Sequence, residues 1–120
     1  MSVWVYRHFP DNTGVDRSVI QIGDEADQYN RPAVIHYNIS DDLWYFRHRR
    51  NNSYDPINLA PSTIPQNTWV HVAMTWDKAA DAVIAYVDGT QQGPTVTAPG
   101  TWSGVGVETF KIGRKTDVTA

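Results

Sequence analysis

Cysteine is absent from this chain of 120 residues. No disulfide can staple the fold, a thiolate zinc site is excluded, and cysteine usage gives no sign of redox compartment. Apolar runs long enough to cross a membrane as a helix are also missing. The start of the chain, MSVWVYRHF, lacks the basic stretch and apolar core of a secretory leader, so no signal peptide is visible. Work outside a cell would then mean export as part of something larger or by another route. Basic charge is in short supply: ten Lys and Arg stand against thirteen Asp and Glu, a formal net charge of −3. Bulk electrostatic binding to nucleic acid needs a dominant basic field, which this balance does not provide. There is no internal repeat, low-complexity tract or interdomain linker.

What remains is a globular composition, 41% hydrophobic and 12% aromatic, of a size that suits one domain with a real core. Its most ordered stretch is Asn67 to Gly89, NTWVHVAMTWDKAADAVIAYVDG. Val70, Val72, Met74 and Trp76 alternate with Trp69, His71, Ala73 and Thr75, the period of a strand with one core face and one more polar face. Ala82 to Val87 is dense in β-branched and aromatic residues and runs into Asp88-Gly89, a pair suited to φ > 0. An antiparallel hairpin followed by a tight turn is predicted. A helix over Lys78 to Tyr86 is the alternative, but its apolar positions form no stripe at helical spacing.

Strands are predicted at Ser2 to Arg7, Ser18 to Gly23, Ala33 to Ile39 and Leu43 to Arg49, the last two joined by a turn at Ser40-Asp41-Asp42. Ala33, Ile35, Tyr37 and Ile39 share one face. Asn51 to Gln66, with prolines at 56, 61 and 65, reads as an irregular connection with a short edge strand at Ile57 to Ala60. Gln91 to Gly106 reads as loop, because six of its residues are Gly or Pro. A final strand is predicted at Glu108 to Gly113. About eight strands with turn signals between them suit an all-β antiparallel sandwich.

The pattern W-x-H-V-A-x-T-W-D (Trp69, His71, Val72, Ala73, Thr75, Trp76, Asp77), then Tyr86 to Gly89, then Ile112 to Arg114, resembles the laminin-G-like (LamG) and pentraxin-like domains of the concanavalin A-like lectin and glucanase group. Ser2-Val3-Trp4-Val5 is similar to a strand opening the central part of such domains. The resemblance implies a concanavalin A-like jelly roll over residues 1–120, incomplete at both ends because members carry further strands before and after these motifs. It also implies that Trp4, Trp69 and Trp76 pack in the core, and that His71 is structural.

The group's glucanases use an E-x-D-x-x-E or E-x-D-x-E strand, whose alternate carboxylates stand about 5 Å apart as acid/base and nucleophile. Only two glutamates occur here, Glu25 and Glu108, and Glu25-Ala26-Asp27 is followed by Gln28, Tyr29 and Asn30, so neither form of the motif is completed. The serines stand in no nucleophile elbow. A non-catalytic chain is expected. Many relatives bind calcium at the sandwich rim through oxygen ligands. Asp24, Glu25 and Asp27 in one loop are the leading candidates, with Asp41 and Asp42 in a turn and Asp77 and Asp81 about the hairpin loop. All are also ordinary turn residues.

Arg47, Arg49 and Arg50 cluster on one strand. Arginine forks match carboxylates and sulfates, and some LamG relatives bind acidic glycans through basic patches, although charged residues also blunt strand edges. Tyr29, Tyr54 and Trp102 fall in polar loops, where an aromatic face can stack on a sugar or simply anchor the loop. Three functions follow from the resemblance. The first is an adhesion or lectin module for a glycan, an acidic polysaccharide or a cell-surface ligand. The second is a structural or decoration subunit of a phage virion or surface appendage, its open edges covered by self-association or neighbouring chains. The third is a glucanase. An extracellular or virion-surface location goes with the first two, with no nucleic-acid partner and no membrane insertion.

Overall fold

The computed structural model describes residues 1–8, 17–22, 33–50, 53–77, 79–80, 82–97 and 110–113, without the side chains at 49–50, 53–56 and 111. Nine strands appear among them: β1 (Ser2–Tyr6), β2 (Arg17–Ile22), β3 (Ala33–Asn38), β4 (Leu43–Arg50), β5 (Ser53–Leu59), β6 (Trp69–Asp77), β7 (Ala82–Val87), β8 (Thr90–Thr97) and β9 (Phe110–Ile112). They form two antiparallel sheets, one of order β1-β6-β7-β8 and one of order β5-β4-β3-β2-β9. This is the expected all-β sandwich.

The core lies between the sheets. From the four-stranded sheet come Val5, Val70, Val72, Met74, Val83, Ala85 and Val87; Ile20, Ala33, Ile35, Tyr37, Trp44, Phe46, Ile57 and Leu59 face them from the other. Burying each large aliphatic or aromatic side chain contributes about 1.5–3 kcal/mol, so the alternating pattern on its own drives the sheets together.

The hairpin β6–β7 forms as read, with Val72 in register with Val87 and Trp76 with Val83. Asp88 and Gly89 both take positive φ, 48° and 77°, the geometry of a two-residue turn whose twist matches the strands. The Asp88 carboxylate locks the turn by accepting the His71 backbone N–H at 2.8 Å, while the Asp88 N–H donates to the His71 carbonyl.

Two expected core residues are not in the core. Trp4 and Trp69 are 61% and 62% exposed. Strand alternation decides this: Val5, Val70, Val72 and Met74 occupy the inward positions of β1 and β6, and the tryptophans take the outward ones between them. Trp76, on the inward side, is half-buried against the core and stacks on His48 with ring centroids 6.3 Å apart.

The stretch after the turn also differs from expectation. Thr90–Thr97 is a strand of eight residues, not loop. As an edge strand β8 needs a partner on one side only, which is where proline is tolerated. Gly93 takes φ 68°, and the register with β7 shifts between Val83 and Ala85, a bulge that absorbs the Gly93-Pro94 pair. The edge strand expected at Ile57 to Ala60 is longer, Ser53–Leu59, and Pro56 sits in it opposite Arg47. β5 and β8 meet along one side of the sandwich. At the other side β1 and β9 are the last strands among the described residues, and Phe110 and Ile112 pair with Ile22 and Ile20 yet remain exposed.

Arg7, directly after β1, is 1% exposed. Its Nη1 donates to the carbonyls of Pro61 and Ile64, both at 2.9 Å, and its guanidinium lies 5.6 Å from the centre of the Tyr37 ring. Burial lowers its pKa, with Tyr37 and Asp42 acting in the opposite sense. The side chain thereby pins the short 3-10 turn Pro61–Thr63 beneath the start of β6.

Candidate functional site

The strand that carries the arginine cluster is β4, second in the five-stranded sheet. Trp44, Phe46 and His48 point into the sandwich and are buried. Tyr45 and Arg47 therefore occupy the outer face, where β3 brings His36 into register with Tyr45 and Val34 into register with Arg47. The Arg47 guanidinium carbon sits 3.9 Å from the centre of the Tyr45 ring, a close cation–π contact. On the same ring, His36 lies at 5.3 Å with its plane tilted by 41°.

Tyr45 is held at its far end as well. Its hydroxyl donates to the Asp41 carboxylate, and the Asp41 N–H donates to Asn38 Oδ1 at 3.1 Å. Burial pushes the Tyr45 phenol pKa up; the hydrogen bond to Asp41 and that residue's charge add to the shift, while Arg47 opposes it. The β3–β4 turn thus orients a ring, and the ring orients a guanidinium. A guanidinium fixed in one plane presents its N–H groups as a fork, which suits a carboxylate or sulfate and loses less rotamer freedom on binding than a mobile one.

The other candidates fall elsewhere. Arg49 and Arg50 belong to β4, in register with Tyr54 and Ser53, but the side chains of Arg49, Arg50 and Tyr54 lie outside the description. Tyr29, Trp102, Asp24, Glu25, Asp27 and Asp81 lie outside the described residues altogether. Asp41 and Asp42 each accept a tyrosine hydroxyl, Asp42 that of Tyr37. Asp77 Oδ1 accepts the N–H groups of Ala79 and Ala80, at 2.8 and 3.2 Å. These three carboxylates serve turns and tyrosines, and among the described residues no three His, Asp or Glu side chains gather to hold a metal.

A spacing of two on a strand puts Tyr45 and Arg47 on one face, but Asp41 and His36 were not read from the sequence as their partners. Asp41 lies four residues before Tyr45 across a tight turn, a spacing that could have been noticed. His36 depends on cross-strand register, which one sequence does not display.

Among curated proteins no match to the chain is found. The family model Laminin_G_3, described as Concanavalin A-like lectin/glucanases superfamily, matches residues 1–119. With the two-sheet antiparallel sandwich and this near-complete match together, the chain belongs to that laminin-G-like family of the concanavalin A-like lectin and glucanase superfamily.

Proposed function

We propose that this protein is a non-catalytic binding module that works outside the cell and holds acidic glycans on the outer face of its five-stranded sheet. The observation that carries the reading is the Arg47 guanidinium planted on the Tyr45 ring at 3.9 Å, with Asp41 fixing the phenol. Membership of a laminin-G-like family, whose domains are generally binding modules, supports it. In the described residues no helix is long and apolar enough to cross a membrane.

Heparin chromatography tests this reading. The protein should be retained at low salt and released as ionic strength rises, because exposed charge pairs are screened. Arg47→Lys keeps the charge but loses the fork, and retention should weaken several-fold. Unchanged retention of that variant would reject the site. Repeating the run with EDTA reads the proposed calcium loop at Asp24, Glu25 and Asp27: loss of retention on chelation would bring calcium into the same function.

A second reading, an assembly subunit, is favoured by the exposed Phe110 and Ile112 at the β9 edge. Unpaired sheet edges with apolar side chains are templates for another chain. Light scattering should then show a discrete oligomer of the 13.5 kDa chain; a monomer at all concentrations would remove that reading.

A further inference from the structure

The opposite outer face, on the four-stranded sheet, has a different chemistry. Trp4 and Trp69 stand outward there, beside Tyr6 at 44% exposed and a half-buried His71. Cross-strand register joins them in two adjacent pairs, Trp4 with His71 and Tyr6 with Trp69. Ring centroids are 5.3 Å apart in both pairs, with tilts of 51° and 52°. Successive outward pairs follow at roughly 7 Å along the strands, so the rings make one continuous row. Burial in the core does not account for them, since valines and Met74 fill the inward positions.

The outward positions of this sheet carry no Lys, Arg or Glu among the described residues, and the two aspartates on this side, Asp77 and Asp88, are each engaged in a turn, Asp88 by accepting the His71 N–H. Next to the rings lie Ser2, Ala73, Thr75, Tyr86 and Gln91. A ligand matched to this face is uncharged, has apolar faces that stack on indole, and has hydroxyls for the indole N–H, phenol and amide groups. Pyranose rings have that combination. The exposed parts of Trp4, Trp69 and Tyr6 amount to about 400 Å². That is half of the roughly 800 Å² per partner that a stable protein interface buries, and within the range of functional patches on monomers.

We infer that the outer face of the four-stranded sheet is a second binding site, for an uncharged polysaccharide whose sugar rings stack along Trp4, Tyr6 and Trp69. It does not depend on the Arg47 site, which lies on the other sheet and has the opposite electrostatic character.

Native gel electrophoresis through uncharged polysaccharides tests it, using hydroxyethyl cellulose, galactomannan and dextran as probes. The protein should be retarded by at least one of them. The double variant Trp4→Ala, Trp69→Ala should lose at least tenfold in apparent affinity, while Arg47→Lys, which weakens heparin retention, migrates as the parent does. Should the double variant unfold, single Trp4→Thr and Trp69→Thr replacements, with a β-branched residue suited to strands, carry the test. The proposal is overturned if none of the three gels retards the protein, or if the variants are retarded equally. It is also overturned if light scattering shows a dimer that the tryptophan variants lose, since a second copy would then be what covers the rings.

Discussion

The two outer faces of the sandwich are built by the same rule and end with opposite chemistry. On each sheet alternate residues go to the core, and the rest point outward. On the five-stranded sheet those outward positions hold His36, Tyr45 and Arg47, a cation set on an aromatic ring. The four-stranded sheet places Trp4, Tyr6 and Trp69 there, large rings standing outward. Tyr45 is buried and tied to Asp41, whereas both tryptophans stand in solvent. The core between the sheets accounts for neither tryptophan.

Removing a side chain from under each face tests whether position, and not size, sets its worth. Phe46→Ala empties a fully buried site between the sheets and should cost about 3–5 kcal/mol, lowering the melting temperature and disabling both faces together. Trp69→Ala deletes a larger ring but only an outward cross-strand pair with Tyr6, and should cost about 0.2–1 kcal/mol. Denaturant titration reads both, and equal losses would break the comparison. The smallest effect concerns Tyr45. Its pKa is raised above the usual 10.0, chiefly by burial, so the folded state favours the neutral phenol. That contribution is complete below about pH 10 and is lost as pH climbs through the raised folded value. Melting temperature should therefore fall more steeply above pH 10 in the parent than in Tyr45→Phe. Parallel curves would mean that Tyr45 is not the group responsible.

Much of this was legible before the fold was known. Strict alternation from Trp69 to Trp76 and the Asp88-Gly89 pair identified β6, β7 and their turn, because side-chain period and turn chemistry are local properties. β8 was not legible: glycine and proline at 93 and 94 signal a loop, and only the edge position with its bulge lets a strand accommodate them. The tryptophans show a conflict between two signals. Alternation set Trp69 opposite to Val70, Val72 and Met74, while bulk and the family resemblance argued for the core, and alternation prevailed. Arg47 and Tyr45 could be placed on one face from their spacing of two. Their fixed geometry could not, because it rests on Asp41 reaching back across a turn and on His36 arriving from another strand.

The pairing of β1 with β6 also bears on how the chain is made. Ser2 is in register with Ala73, so β1 waits for a partner synthesised roughly 70 residues later. Its neighbours in the sheet, β6 to β8, form a meander that can close through short turns, whereas β1 must close the longest loop in that sheet. During several seconds of translation the segment carries Val3 and Val5 on one side and Trp4 and Tyr6 on the other, apolar on both. The strand that supplies half of the aromatic row thus exposes apolar side chains on both sides until β6 is made, as unpaired strands do in partly folded chains.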